Sequence, residues 1–127
     1  MRELAPAFGR PLTAWNETRG TVLVSRGRIA GSFWSRFKGL LGTRSLEPGA
    51  GLLIERCSSI HSFFMRYPFD ALFLDREGRV VHLIDEMRPY RISRHVFSAR
   101  RVLELPAGAI RESGTQRGDV IRWGNAE

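Results

Sequence analysis

Residues 57–75 read CSSIHSFFMRYPFDALFLD. The run holds the chain's single cysteine, Cys57, then His61 four positions on, then a dense apolar series. Its conformation decides the fold. As a helix it would set Cys57, His61 and Met65 on one face, because positions i and i+4 are helical neighbours. Cys, His and Met are a ligand set suited to copper. As an extended chain, four residues span about 13 Å, and no single ion bound at about 2–2.3 Å could be shared across that distance. Ile60, Phe63, Phe64 and the following Pro68 favour the extended form. The expectation is a sheet element whose apolar residues face inward and whose few ionisable residues line a margin, with no metal held by this segment.

A nucleophilic role for Cys57 would need a thiolate-stabilising partner, and His61 could serve only if the chain bends between them. Against it stands the ordinary use of cysteine as a small buried hydrophobe. Cys57 is carried forward as a candidate reactive thiol with both readings open.

Outward from this run, strands dominate. Residues 21–25 (TVLVS), 51–55 (GLLIE), 69–75 (FDALFLD), 80–87 (VVHLIDEM), 100–105 (RRVLEL) and 119–123 (DVIRW) are strand-length and apolar. Gly27 is expected to close the first of them. DREG at 75–78 is a hairpin turn with Gly78 at positive φ. The stretch SFWSRFKGLLG at 32–42 predicts a short amphipathic helix capped by Ser32 and stopped by Gly42. PAGAIRESG at 106–114 predicts one further helical turn ending at Gly114. Residues 1–18, with Pro6 and Pro11 and no apolar period, read as an N-terminal arm or extension, leaving 19–127 as one compact domain. The expected fold is mostly β (α+β): a small single-domain antiparallel barrel or highly curved sheet with one or two short helices.

With 127 residues, 43% of them hydrophobic and 26% charged, the chain can bury a core and does not have the composition of a disordered one. A lone cysteine excludes an internal disulfide and suits a reducing compartment. No early apolar stretch reads as a signal peptide, and no run has membrane-spanning length, so a cytoplasmic location and no transmembrane segment are expected. The net charge of +7 is uneven: residues 1–46 hold eight basic groups against two acids, residues 47–127 twelve against eleven. Such a basic region can serve RNA, DNA or an anionic surface, or can be a solvated face in an arginine-rich chain; the second is favoured.

At this point the ordered motifs match a known group. IHSFFMRYPFDALFLD (60–75), then VLELPAG (102–108), then GD (118–119), with KGLLGTRSLEPGAGLLI (38–54) upstream, resemble a widespread prokaryotic family of unknown function, the uncharacterised ancient-conserved-region family. The resemblance covers residues 20–123. It implies a compact β-rich domain and brings no assigned activity. Its signature falls on Gly39, Gly42, His61, Phe64, Met65, Pro68, Asp70, Phe73, Asp75, Glu104, Leu105, Pro106, Gly108, Gly118 and Asp119. Two departures stand out. Many relatives begin with a secretion signal or lipid anchor; none is expected here, so an exported location is not carried over. A large branch has Trp, Lys and Asn where this chain has Ser-Phe-Phe-Met-Arg, so a role for His61 or Cys57 would belong to this branch alone.

Among those positions the carboxylates inside apolar strands need partners. Asp70 alternates with Leu72 and Leu74, Glu104 with Val102, and a buried carboxylate costs several kcal/mol unless it is paired or hydrogen-bonded. Arg66, Arg88, Arg91, Arg94, Arg100 and Arg101 are near in sequence. Either the carboxylates close ion pairs and cap loop amides, or His61, Arg66, Asp70, Arg91, Glu104 and Asp119 contribute to a polar rim pocket for a small polar ligand. No GxSxG, HExxH, CxxC or phosphate-binding GxxxxGK occurs, and no cofactor is implied. A binding or accessory module leads. An acid–base hydrolase using His61, Asp70, Asp75 and Glu104, and a nucleic-acid binder with Trp15, Trp34 and Tyr90 for stacking, are the alternatives.

Overall fold

The computed structural model describes residues 10–31, 47–62 and 67–124. Among them the strands run in chain order β1 (Arg10–Asn16), β2 (Thr21–Ala30), β3 (Ala50–Glu55), β4 (Phe69–Leu74), β5 (Val80–Met87), β6 (Arg101–Pro106) and β7 (Ile121–Gly124). One short helix, α1 (Ala109–Ser113), follows β6. All seven strands belong to one sheet of order β5-β4-β6-β3-β2-β1-β7. The mostly β class and the curved sheet expected from sequence are present.

β4 is buried at every one of its six positions. Its run FDALFL therefore lacks the polar alternation of a one-sided strand, because the sheet is covered on both faces here. One face packs Leu72 and Leu74 with Leu103, Leu105, Leu53, Val24, Leu12 and Ile121. The other packs Phe69, Ala71 and Phe73 with Ile54 and Val102. Each such fully buried Leu, Ile, Val or Phe side chain contributes about 1.5–3 kcal/mol.

The second face is roofed by two segments, 57–62 and 88–99, zipped together through backbone bonds. Ser62 N donates to Arg91 O (2.8 Å), Tyr90 N to Ser62 O (3.0 Å), Ser93 N to Ile60 O (2.8 Å) and Val96 N to Ser58 O (2.9 Å). Two serines pin this ribbon from inside. Ser62 Oγ accepts from Arg91 N at 2.8 Å and donates to Arg88 O, and Ser93 Oγ accepts from Ile60 N at 2.9 Å. Cys57, Ile60, Val96 and Ala99 point down onto the sheet. Residues 57–62 lie beside the sheet as a cover, with one bridge at His61–Ile92, and the strand proper begins at Phe69.

The curvature brings the two outer strands close at one corner. Val80 N donates to Asp119 O, Gly118 N to Val80 O and Ile121 N to Gly78 O, each at 2.8 Å. Gly78 sits at φ 88°, and a Cβ there would meet Ile121 O at 2.5 Å, so the turn requires glycine twice over.

Several expectations need correction. The proposed arm over residues 1–18 contains β1: Leu12 and Ala14 are buried, and the strand pairs with both β2 and β7. Pro11 obscured it, although a proline is tolerated where a strand begins. The sheet is mixed and not purely antiparallel, because β2 and β3 pair in parallel from Arg26/Ala50 to Ala30/Ile54. Gly27 does not end β2; it pairs with Gly51 inside that parallel seam. The expected helix at 32–42 lies outside the described residues, as do Phe63, Phe64, Met65 and Arg66. No helix among the described residues is long and apolar enough to cross a membrane.

Candidate functional site

Asp70 is a structural anchor. Its side chain lies on the leucine face of β4 and is fully buried. Oδ2 accepts from Ile110 N (2.8 Å) and Gly108 N (3.1 Å), and Oδ1 accepts from Glu86 N (2.9 Å). The start of α1 has no side-chain cap of its own, Gly108 standing at φ 96°. A carboxylate from a neighbouring strand fills that role and satisfies amides that the helix leaves open. The same group ties down β5 at Glu86, which holds a left-handed φ of 60°.

Glu104 points the other way. It pairs in register with Ala71 and Leu52, on the phenylalanine face, and is 2% exposed. Burial first, and the Glu104 charge second, push the Tyr67 hydroxyl up from its ordinary value, which puts the two side chains in one electrostatic neighbourhood.

Asp119 belongs to a third locus. It accepts from Arg19 Nε (2.8 Å), Asn16 Nδ2 (3.0 Å) and Gln116 N (2.9 Å), and Asn16 Nδ2 also donates to Thr115 Oγ1 (3.0 Å). Burial is the largest single influence on this carboxyl and pushes it up. The hydrogen bonds from Arg19, Asn16 and Gln116, with the Arg19 charge, together outweigh burial and hold it below its ordinary value. The network locks the β1–β2 turn onto the entry to β7.

His61 bridges Ile92 across the ribbon, which leaves Arg91 one register step away from it. The Cys57 thiol is buried and donates to Ser59 O at 3.1 Å. Asp75 Oδ1 accepts from Glu77 N and Arg79 N, each at 2.9 Å, and shapes the β4–β5 turn. The rim pocket of His61, Asp70, Arg91 and Glu104 is thus not assembled, because the two carboxylates occupy opposite faces of the sheet. The same separation removes the hydrolase constellation. Arg66 falls outside the described residues. Among those described, no three His, Cys, Asp or Glu side chains gather as a metal site.

An open cleft of about 660 Å³ lies elsewhere, where β3 ends and β6 begins. Arg56, Arg76, Arg100 and Arg101 line it, with Cys57 and Phe97. Its one acid, Glu55, is already paired with Arg10 at 3.4 Å. No carboxylate among the described residues lies within ion-pair distance of the four arginines. The backbone beneath them is held: Arg100 N donates to Leu74 O (2.7 Å), Arg100 O accepts from Cys57 N (3.0 Å), and Arg56 stands at φ 52°. The Arg101 guanidinium lies 4.9 Å from the Trp123 ring centroid, and its buried Nε has no hydrogen-bond partner among the described residues. Arg56 and Arg76 carried no signal in the sequence beyond their charge; each sits one residue past a strand or turn boundary, and only the fold gathers them.

With these positions in place, the chain can be set beside known proteins. The family model described as an uncharacterised ancient conserved region matches residues 14–123. The chain belongs to this family. A UPF0127 protein of Thermococcus sibiricus is 34% identical over 112 residues, covering 85% of this chain and 72% of its own length. The UPF0127 protein PH1112 of Pyrococcus horikoshii is 32% identical over 111 residues, covering 85% and 96%. A crystal structure of a protein of unknown function from Novosphingobium aromaticivorans superposes with a TM-score of 0.73 at 22% identity, over 89% of this chain and 84% of that one. That likeness concerns the fold. The family resemblance expected from the motifs is therefore correct, and no specific function is established for the family's members matched here. Asp70 and Gly108, distant in the family signature, are joined by the 3.1 Å bond described above.

Proposed function

We propose that the chain is a small binding or accessory module whose ligand is a compact anion held in the arginine cleft. The observation that carries this reading is the convergence of Arg56, Arg76, Arg100 and Arg101 on one concavity whose single carboxylate is engaged elsewhere. Guanidinium groups match carboxylate and phosphate oxygens in pairs, and a fixed backbone lowers the entropy lost on binding. The cleft volume falls within the range of about 300–1,000 Å³ usual for small-molecule sites. A cytoplasmic location accompanies this reading, supported by the solitary Cys57 thiol, which suits a reducing compartment.

Calorimetric titration with inorganic pyrophosphate and tripolyphosphate tests it. Saturable binding is expected, weakened at least tenfold in the Arg56→Ala/Arg100→Ala double variant. Absence of heat with either anion at low salt overturns the reading.

The nucleic-acid alternative retains one favourable observation: Tyr90 is 64% exposed on the ribbon's outer face, among exposed Arg88, Arg91 and Arg94. It requires oligonucleotide affinity that falls steeply between low and physiological salt.

A further inference from the structure

Phe97 is the most exposed large apolar side chain among those described, at 87%, and it stands on the wall of the arginine cleft. Its ring meets that of His95, centroids 4.3 Å apart and planes at 64°. His95 in turn lies within 3.3 Å of Ser58 Oγ through Nδ1. Val96 before it and Ala99 two positions after it are buried and hold the segment to the sheet. A benzyl ring on an anchored segment, left in water beside four guanidinium groups, is a surface for a planar partner.

We propose that the anion taken by this cleft is a nucleoside phosphate, its base lying against Phe97 and its phosphates against the arginines. The inference rests on the anion-binding reading of the same cleft and names the substrate class. The chemistry divides between the two kinds of lining. Arg56, Arg76 and Arg100 come from three separate segments, so a chain of linked phosphates can meet several forks at once. Arg101 already lies over the Trp123 ring, which orients its fork. Phosphate oxygens answer this lining, but they do nothing for Phe97. A base does, because every base has a π-face and stacking tolerates sequence. The expected contribution of such stacking is about tenfold in affinity or more.

Calorimetry on the full chain separates the two levels, with adenosine, guanosine and uridine triphosphates set against inorganic tripolyphosphate at one salt concentration. At least one nucleoside triphosphate is expected to bind about tenfold tighter than tripolyphosphate. Phe97→Ala should abolish that advantage while leaving tripolyphosphate affinity unchanged, and Arg100→Ala should weaken both ligands. Phe97 is almost wholly exposed, so its removal leaves the core intact, which circular dichroism can verify. Equal affinities for all four ligands, or a ratio unmoved by Phe97→Ala, would overturn the nucleoside assignment and leave the anion cleft standing. No binding by any of them removes both.

Discussion

Asp70 and Glu104 lie on adjacent paired strands, offset by a single register step, yet their carboxylates face opposite sides of the sheet. Asp70 is registered with Leu105 and shares the leucine face; Glu104 is registered with Ala71 and shares the phenylalanine face. Strand geometry dictates this, since successive side chains alternate. Two carboxylates that look like a catalytic pair in sequence are separated by the sheet itself.

Asp70 is therefore a fold-defining residue. Asp70→Ala leaves three backbone N–H groups, that of Ile110 buried and those of Gly108 and Glu86 partly so, without their acceptor and should lower unfolding free energy by about 2 kcal/mol or more. Asp70→Asn, which keeps one acceptor oxygen, should cost less. Urea denaturation measures both, and faster amide exchange at Gly108 and Ile110 should accompany the loss. A change below about 0.5 kcal/mol for Asp70→Ala would contradict the capping role.

The strand β1 gives a second test. Leu12 is fully buried in the leucine-face core, so Leu12→Ala should destabilise by about 2–5 kcal/mol. A residue of a loose arm would show almost no effect in the same thermal or urea experiment.

Acid should unlock the Asp119 network. Its carboxyl is held below its ordinary value in the fold, so the unfolded chain takes up the proton first as pH falls. The stability it contributes is whole above about pH 4, the unfolded value, and disappears as pH drops through the lower folded one. Denaturation midpoints at pH 7, 4 and 3 should fall steeply for the natural chain and less for Asp119→Asn.

His82 works in a milder range. Burial first, then the charges of Arg94 and Arg117, lower its pKa, and its ring meets Phe73 edge-on at 5.1 Å. The unfolded chain therefore binds the proton more readily. Stability from this residue is complete above about pH 6.5 and declines as pH falls below that value. Replacing it by Phe should flatten the stability profile between pH 7.5 and 5.5, and an unchanged slope would show that other groups govern it.

Much of this molecule was legible in one dimension. The alternation and β-branching of residues 80–87 and 100–105, the DREG turn and the Gly-terminated helical turn at 109–113 are local signals, and local signals survive without a partner. The family motifs were equally plain, because their order along the chain is itself the signature. β1 was hidden: with Pro11 near its start, its strand character comes from lying between β2 and β7, partners 5 and 105 residues further on. The parallel β2–β3 seam was hidden for the same reason, since no periodicity records strand direction.

The sequence by itself determined that residues 69–74 form a strand, that the chain is mostly β, and that its buried carboxylates need partners. Tertiary structure alone decided who those partners are. Asp70 takes amides from 38 and 40 positions away, and Asp119 takes an arginine from 100 positions away. It also decided where positive charge gathers: Arg56, Arg76, Arg100 and Arg101 share a cleft only because β3, β6 and the β4–β5 turn end together. Side-chain direction follows from local backbone, but convergence follows from pairing, and pairing is a property of the whole sheet.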